Sequence, residues 1–293
     1  MRNNTDRLGQ PAEASEPPVG PVTQAGPEPA VAPLSFSTPT EFVDLPSKGQ
    51  LYPEGHPLHN KEYIEIRYMT AKDEDILASR NLLKKGVAVD RLLQNVIIDK
   101  GLKVDDLLVG DKNALVIATR VTGYGPDYLT NVTCPSCTNS VKHEFDLEES
   151  EISGGFLDLE DEESAYTVTE NSTFLVDLPK LKAKVEIKLL TGSDENKYIS
   201  YSKKRKKHGL LASDSILTDQ LRMFIVSVNG DSSKGAIGQL IEHMPASDSR
   251  YLRQAYSELM PNIDLTQDFI CDSCGFAQQM EVPLTADFFW PGR

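Results

Sequence analysis

Four cysteines, arranged as two CxxC pairs, constrain this chain more than any other feature of its sequence. The pairs are Cys134-Pro-Ser-Cys137 and Cys271-Asp-Ser-Cys274, and 133 residues separate them. Two residues between cysteines allow a tight turn to direct both sulfurs toward one point, so two such pairs can supply four thiolates to one tetrahedral Zn²⁺. The sequence therefore predicts a structural zinc site whose ligands are Cys134, Cys137, Cys271 and Cys274.

Two other states of these cysteines are compatible with the spacing, namely disulfides and buried free thiols. A redox CxxC motif opens a helix in a thioredoxin-like unit, whereas each pair here lies between two β-prone segments and is predicted to form the tip of a β-hairpin. No apolar segment near Met1 resembles a secretory signal, so we expect the protein to be soluble and made in a reducing cytosol. We favour one shared zinc, although zinc ribbons usually close a shorter loop.

The first 39 residues differ in composition from the rest of the chain. They are rich in Pro, Ala, Gly and Glu and contain few large apolar side chains. Such a segment cannot bury enough surface to offset the entropic cost of ordering, so we predict a disordered arm over residues 1–39. No later stretch is apolar for long enough to cross a bilayer, and no membrane association is expected.

The charge of the chain bears on its partners. A formal net charge of −14 argues against general nucleic-acid binding, because phosphate contacts depend on Lys and Arg. One segment differs, since five consecutive basic residues occupy positions 203–207. Such a run can contact nucleic acid, which leaves a zinc-ribbon nucleic-acid adaptor as an alternative function. We favour a solvated helix end whose cations interact favourably with the helix dipole.

Hydrophobic periodicity predicts a mixture of strands and helices and hence an α+β fold. Residues 42–58 contain prolines and glycines between apolar anchors and are expected to lie extended on a surface. Strands are predicted at 61–70, 166–169, 173–178 and 183–190, and hairpins around both cysteine pairs. Helices are predicted at 71–83 with Thr70 as N-cap, at 87–99, from a cap at Asp111 through Val121, and at 193–207, 213–228, 234–243 and 246–259.

The chain also resembles itself at fixed offsets. Residues 64–70 match residues 185–191 at an offset of 121, and residues 111–147 match residues 248–284, including both cysteine pairs, at an offset of 137. Chance agreement of short patterns is the alternative to duplication. We interpret the matches as two pseudo-repeated halves of strand, helices and zinc-knuckle hairpin, joined by one shared four-cysteine zinc ribbon. The predicted organisation is an arm at 1–39, a first repeat at 40–147, an acidic linker at 148–165 and a second repeat at 166–293.

No catalytic site is evident in the sequence. A catalytic zinc keeps an open position for water, whereas four cysteines close the coordination shell. His143 shares a strand face with Val141 and Phe145, and a packed histidine is favoured over a ligand; His56 and His59 are interpreted as hydrogen-bonded loop residues. A P-loop, a GxSxG elbow and an HExxH helix are all missing. We therefore predict a protein that is not an enzyme and has no small-molecule substrate.

Several motifs together resemble a known family. They are Leu45-Pro46-Ser47-Lys48-Gly49 with Tyr52-Pro53, the segment Met69–Glu74, Leu107–Asp111, Tyr124-Gly125 before Tyr128, and the first cysteine knuckle. In combination they are similar to the baseplate hub and hub-assembly proteins of T4-like contractile-tailed bacteriophages. The resemblance implies a structural or assembly component of the central hub of the virion tail baseplate, made in the host cytoplasm, whose partners are other baseplate hub and tail proteins. An interaction protein needs extended segments that contact its partners, and here the LPSKG loop and the aromatic C-terminus at 288–291 are candidates for docking, with packing onto the chain itself as the alternative for the C-terminus.

Overall fold

Strands and helices are mixed along the chain, which confirms the α+β prediction. The computed structural model describes residues 37–154, 166–207, 216–284 and 286–290, without the side chains of 204–207 and 286–287. The strands are β1 (Thr40–Asp44), β2 (Tyr63–Arg67), β3 (Asp127–Thr133), β4 (Ser140–Asp146), β5 (Glu151–Ser153), β6 (Tyr166–Val168), β7 (Thr173–Asp177), β8 (Lys184–Lys188), β9 (Ile225–Val228), β10 (Asn262–Asp264), β11 (Thr266–Ile270) and β12 (Ala277–Glu281). The helices are α1 (Ala71–Ala78), α2 (Arg80–Lys85), α3 (Ala88–Val96), α4 (Val109–Tyr124), α5 (Gly192–Lys207), α6 (Ile216–Phe224), α7 (Lys234–His243) and α8 (Ala246–Leu259).

Two predicted segments fall largely outside this description. The arm at 1–39 lies outside the described residues except for 37–39, and residues 155–165 of the predicted acidic linker also lie outside them. The first part of that linker is not a simple connection, because β5 pairs antiparallel with β10 and Ile152 lies opposite Ile263. Among the described residues, no helix is long and apolar enough to cross a membrane.

The segment after β1 turns inward. β1 pairs antiparallel with β2, and the following turns bury Leu45, Leu51, Tyr52 and Leu58, as expected for apolar anchors. Phe42, the apolar residue at the start of the predicted segment, is by contrast 60% exposed. The prediction of a purely extended surface segment was therefore wrong, because a strand partner further along the chain is not visible in the local pattern.

A buried carboxylate organises these turns. Asp111 was predicted to cap α4 but is its third residue, and its carboxylate accepts hydrogen bonds from the Ser47 backbone N–H (3.0 Å), the Ser47 hydroxyl (2.6 Å) and the Tyr52 hydroxyl (2.7 Å). Burial raises the pKa of Asp111 and outweighs these hydrogen bonds. Burial and the Asp111 charge also raise the pKa of Tyr52, which keeps its hydroxyl a donor. The LPSKG loop is therefore largely packed within the chain, which removes most of it from the candidate docking surface.

Helices α1 to α3 follow the predicted order with two differences, of which one is that α3 ends at Val96 rather than at residue 99. The expected helix over 71–83 is divided at Ser79, whose backbone is extended, and α2 ends at Gly86 with φ of 75°. At the start of α1, the Asp73 carboxylate accepts from the Thr70 backbone N–H at 2.9 Å, which confirms the predicted cap. Asp73 is also held by Arg67 through two bonds of 2.7 and 2.9 Å.

The second half contains a four-stranded antiparallel sheet in the order β6-β7-β8-β9. Strand β9 corrects the prediction of one helix over 213–228, since the described part of that segment is helical only to Phe224 and then extends beside β8. Ile225, Val226 and Val228 are β-branched, and pairing with β8 prevails over the helical pattern. Helices α7 and α8 have the predicted bounds.

The C-terminal aromatic residues pack onto the chain itself. Phe288 and Phe289 are each 4% exposed, and the Phe288 ring lies edge-on to Tyr128 with centroids 5.3 Å apart. The buried guanidinium of Arg120 donates to the Phe288 carbonyl oxygen at 2.7 Å. Burial lowers the pKa of Arg120, and the carbonyl of Gly125 at 2.6 Å further satisfies its donors. These phenylalanines are therefore core residues, which supports packing onto the chain rather than docking for Phe288 and Phe289, whereas Pro291 lies outside the described residues.

Candidate metal centre

Two β-hairpins bring the four cysteines together. The first hairpin joins β3 to β4 and carries Cys134 and Cys137 at its tip; the second joins β11 to β12 and carries Cys271 and Cys274. All four Sγ atoms lie within 4.8 Å of one another. The four residues predicted from the sequence therefore form one cluster, to which each hairpin contributes two thiols.

The spacing of the sulfur atoms fits a tetrahedral metal. The distances from Cys134 Sγ to Cys274 Sγ and from Cys137 Sγ to Cys271 Sγ are both 3.8 Å. A tetrahedron with Zn–S distances of about 2.3 Å has edges of about 3.8 Å. A disulfide requires about 2.05 Å between sulfurs, so the four cysteines are free thiols. The cluster can hold one metal ion with no further protein ligand.

The two cysteine turns share the same backbone hydrogen bonds. In the first, Cys134 N–H donates to Asn139 O (2.9 Å) and Thr138 N–H donates to Cys134 O (2.9 Å). In the second, Cys271 N–H donates to Phe276 O (2.8 Å) and Gly275 N–H donates to Cys271 O (2.8 Å). Each turn needs a left-handed residue after its second cysteine.

The electrostatics of the cluster favour a bound cation. Backbone N–H groups, first that of Cys137, lower the pKa of Cys134 to about 7. The backbone N–H of Phe276 lowers the pKa of Cys274, but burial and the neighbouring thiols outweigh it and raise that pKa to about 12. Four thiolates at this spacing repel one another, so the fully ionised cluster requires a positive charge at its centre.

Aromatic and amide contacts hold the two hairpins in register below the cysteines. The His143 ring lies edge-on to Phe145 (centroids 4.6 Å) and to Phe269 of the other hairpin (5.2 Å). His143 is thus a packed residue between the hairpins, as predicted. The Gln267 side chain accepts from the Asp146 backbone N–H at 3.1 Å and donates to the Asp146 carbonyl. Sequence reasoning missed Gln267, because a glutamine on a half-polar strand carries no signal of its partner.

Other residues considered from the sequence lie elsewhere. His56 Nδ1 accepts from the Leu58 backbone N–H (3.2 Å), and His59 Nδ1 contacts the Tyr52 carbonyl (2.7 Å), so both are hydrogen-bonded loop residues as expected. The basic run at 203–207 forms the end of α5, where Lys203 Nζ donates to the Lys85 carbonyl oxygen at 3.1 Å. The side chains of 204–207 lie outside the described residues. In the part of the chain that the structure describes, the cysteine cluster is the metal-ligating group found.

Comparison with known families identifies the chain. The sequence model of a family described as T4 bacteriophage base plate protein matches residues 38–290. The chain belongs to this baseplate protein family. The matched region includes both hairpins and all four cysteines and begins after most of the predicted arm. No curated protein and no solved structure matches the chain.

Membership of a baseplate family implies a structural role in the phage tail and association with other tail proteins. It agrees with the resemblance recognised from the LPSKG and knuckle motifs, at the level of the baseplate. The cysteine cluster adds to the baseplate protein a centre where one metal ion can join two distant parts of the chain.

Proposed function

We propose that this baseplate protein is a non-enzymatic structural or assembly component of the central hub, with one structural zinc that joins its two hairpins. The observation that carries the proposal is the cluster of four thiols, two from each hairpin, with cross-hairpin sulfur distances of 3.8 Å in a member of a baseplate family. The hub assignment rests on the resemblance of the LPSKG, Met69–Glu74 and knuckle motifs to hub proteins.

Zinc is the metal that the donor set favours. Four cysteine thiolates form a closed tetrahedral shell of soft ligands, which is the usual environment of structural Zn²⁺. A closed shell leaves no position for a reactive water, so the centre serves folding rather than catalysis. Zinc binding would then contribute to the stability of the folded protein, because the two cysteine pairs come together only when the chain is folded.

We further infer that the two halves arose by duplication. Strand β7 and the turn after it contain Val176-Asp177-Leu178-Pro179, which repeats Val43-Asp44-Leu45-Pro46 at the end of β1. In the second half, Asp248 of α8 accepts the backbone N–H groups of Lys180 (3.1 Å) and Leu181 (2.8 Å), where Asp111 of α4 accepts that of Ser47. Agreement of sequence, hairpin register and carboxylate role at matching positions supports a common origin for the halves.

Purification from infected cells tests the function. A tagged wild-type chain should be recovered with baseplate and hub proteins and should contain about one zinc per chain by elemental analysis. Recovery without any tail protein, or with nucleic acid in a salt-sensitive manner that is lost when residues 203–207 are neutralised, contradicts the structural role and favours the adaptor. Two metal ions per chain, or none in reducing buffer, contradict the shared centre.

A further inference from the structure

The outer edge of β1 has no strand partner among the described residues. β1 pairs with β2 alone, and the Leu45 N–H donates to Glu62 O directly opposite at 2.7 Å. Hydrogen-bonded pairs alternate in an antiparallel ladder, so Val43 directs its backbone groups toward β2. Phe42 and Asp44 therefore direct their N–H and C=O groups away from β2. An open edge of this kind is a template for another strand.

The second half shows how such an edge can be covered. Its hairpin β7–β8 has the same register as β1–β2, and its first strand is likewise followed by Leu-Pro after a final Asp. The Leu178 N–H donates to Ala183 O at 2.9 Å. Leu175, at the position of Phe42, lies opposite Thr167 of β6, which pairs with the outer edge of β7. The hairpin therefore accepts a short antiparallel strand at this edge. The two hairpins share this geometry whether or not the halves were duplicated.

Two exposed aromatic side chains, one on β1 and one on β2, lie on one face of the hairpin next to the open edge. Phe42 and Tyr63 are 60% and 53% exposed, and their rings are edge-to-face with centroids 5.1 Å apart. Beside them lies a cavity of about 530 Å³ that is also lined by Leu58, Ile98 and Leu102. By contrast, Leu175 in the covered hairpin is half-buried. An incoming strand would remove substantial aromatic surface from water.

The charge around the edge defines the chemistry of the incoming strand. Glu41 and Asp44 on β1 are exposed, and Glu65 lies opposite Phe42 on β2. The cation of the cavity lining, Lys61, already lies 3.9 Å from Asp99. An acidic edge attracts a basic segment and disfavours an acidic one such as most of this chain.

We propose that the outer edge of β1 docks an extended segment of another tail protein, in which apolar residues alternate with Lys or Arg. The segment would pair antiparallel with β1 through the outward N–H and C=O groups of Phe42 and Asp44, as β6 pairs with β7. Its apolar side chains would cover Phe42 and Tyr63, and its cations would lie near Glu41. The class of partner rests on the proposed baseplate function, whereas the edge geometry does not.

Amide hydrogen exchange on the full chain tests the pairing with a short synthetic peptide that alternates valine and lysine. On peptide binding, the outward amides of Phe42 and Asp44 should exchange at least about tenfold more slowly, and the inward amide of Val43 should be unchanged. A peptide with glutamate in place of lysine should bind more weakly. Docking through side chains alone would leave the outward amides unprotected and would overturn the proposal.

Two matched proline variants distinguish loss of docking at the β1 edge from the general effect of placing a proline in a strand. Phe42→Pro removes an outward N–H and the exposed ring without removing a bond to β2, and should weaken peptide binding at least about tenfold. Leu129→Pro makes the same change on β3, where Leu129 is 56% exposed and also outside the hydrogen-bonded pairs, and should leave binding unchanged. Equal effects of the two variants, or no effect of Phe42→Pro, would overturn the proposal.

The same variants distinguish this inference from the proposed function in infected cells. Phe42→Pro should reduce incorporation into tails, whereas Leu129→Pro should not. Wild-type incorporation of Phe42→Pro overturns the edge proposal and leaves the baseplate function intact, whereas absence of the wild-type chain from tails refutes that function and leaves the peptide result standing. If the outward amides are already protected in the dilute isolated chain, the edge is covered by the chain itself. If they become protected only as the protein concentration rises, the edge binds a second copy. Either result would overturn the proposal.

Discussion

The two halves of the molecule hold corresponding loops with a carboxylate but use different donors. In the first half, Asp111 accepts one backbone N–H and two hydroxyls, from Ser47 and Tyr52. In the second, Asp248 accepts two backbone N–H groups, from Lys180 and Leu181. Both carboxylates are fully buried. The requirement is thus for an acceptor in the first turn of each helix, whereas the source of the hydrogens varies with the local path of the loop.

The first turns of α1 and α5, which follow β2 and β8, also hold a carboxylate through different donors in the two halves. Arg67 contacts both carboxylate oxygens of Asp73, at 2.7 and 2.9 Å, and Asn95 donates to the same carboxylate. Lys188 contacts Asp194 through one bond of 2.8 Å. A planar guanidinium forms a two-point pair that an ammonium cannot. At both acidic positions the first half therefore provides more hydrogen-bond donors, whereas the two halves contribute two thiols each to the cysteine cluster.

Because each hairpin contributes two thiols to the proposed metal site, substitutions of these cysteines should cause the largest loss of stability. Cys134→Ser and Cys271→Ser should each lower the free energy of unfolding by about 4 kcal/mol or more, because loss of one ligand from either hairpin would remove the proposed shared ion. Chemical denaturation at fixed free zinc, with elemental analysis of each variant, measures both effects. Ser136→Ala and Ser273→Ala, inside the same turns, should change little. A severe effect in one hairpin and a mild one in the other would mean that the metal is not shared.

The buried carboxylates provide the next contrast. Asp111→Ala should cost about 3 to 5 kcal/mol, since it leaves two buried hydroxyls and one N–H without their acceptor, and Asp248→Ala should cost about 2 kcal/mol, since the donors from the exposed Lys180 and Leu181 can reach water. Thermal and denaturant unfolding of both variants measures the difference. Ser47→Ala in the Asp111→Ala background should recover part of the loss, whereas a larger cost at Asp248 would reverse the comparison.

Local chemistry explains which parts of the fold could be predicted. The bounds of α7 and α8 and the cap at Thr70 follow from residues adjacent in sequence. The cysteine cluster was predictable for a similar reason, because each CxxC turn encodes its own geometry and the offset of 137 relates one hairpin to the other.

Partners distant in sequence explain the failures. Asp111 was mistaken for a cap, because its donors lie 64 and 59 residues upstream. The segment Ile225–Val228 was mistaken for helix, because its periodicity continues that of α6 and only β8 makes it a strand. The inward packing of the LPSKG loop and of Phe288 likewise depends on contacts, to Asp111 and to Arg120, that no local pattern reveals.

The two capping carboxylates predict a difference in acid stability. Burial acts to raise the pKa of Asp73 and of Asp194, but hydrogen bonds, first from Arg67 and from Lys188 respectively, outweigh it and lower both pKa values, more strongly for Asp73. An acid with a lowered pKa in the folded state contributes stability above its ordinary pKa, near 3.8, and loses it as the pH falls through the folded value.

Asp73→Asn should therefore cost about 2 kcal/mol at neutral pH, and Asp194→Asn about 1 kcal/mol, with both losses shrinking below about pH 4. Unfolding free energies measured between about pH 2 and 7 test this order. Lys188→Arg should bring the second half closer to the first by permitting a two-point contact. Equal pH dependence of the two Asn variants would remove the distinction between the halves at this position.

The smallest expected effect lies in the cysteine turns, where the left-handed residue is Thr138 (φ 59°) in the first hairpin and Gly275 (φ 71°) in the second. Gly275→Thr should cost about 1 kcal/mol through backbone strain alone, since a Cβ there would meet no atom within 4 Å. Thr138→Gly should change stability by less than about 0.5 kcal/mol, because relief of strain is offset by greater freedom of the unfolded chain and by loss of the bond from the Thr138 hydroxyl to Cys137 O (2.7 Å). Denaturation at saturating zinc measures both, with Gly230→Thr as control, because Gly230 is left-handed, equally open and distant in sequence from the cysteines. If Gly275→Thr costs much more stability than Gly230→Thr, strain in this turn affects metal binding. The two hairpins would then not hold the proposed metal equally.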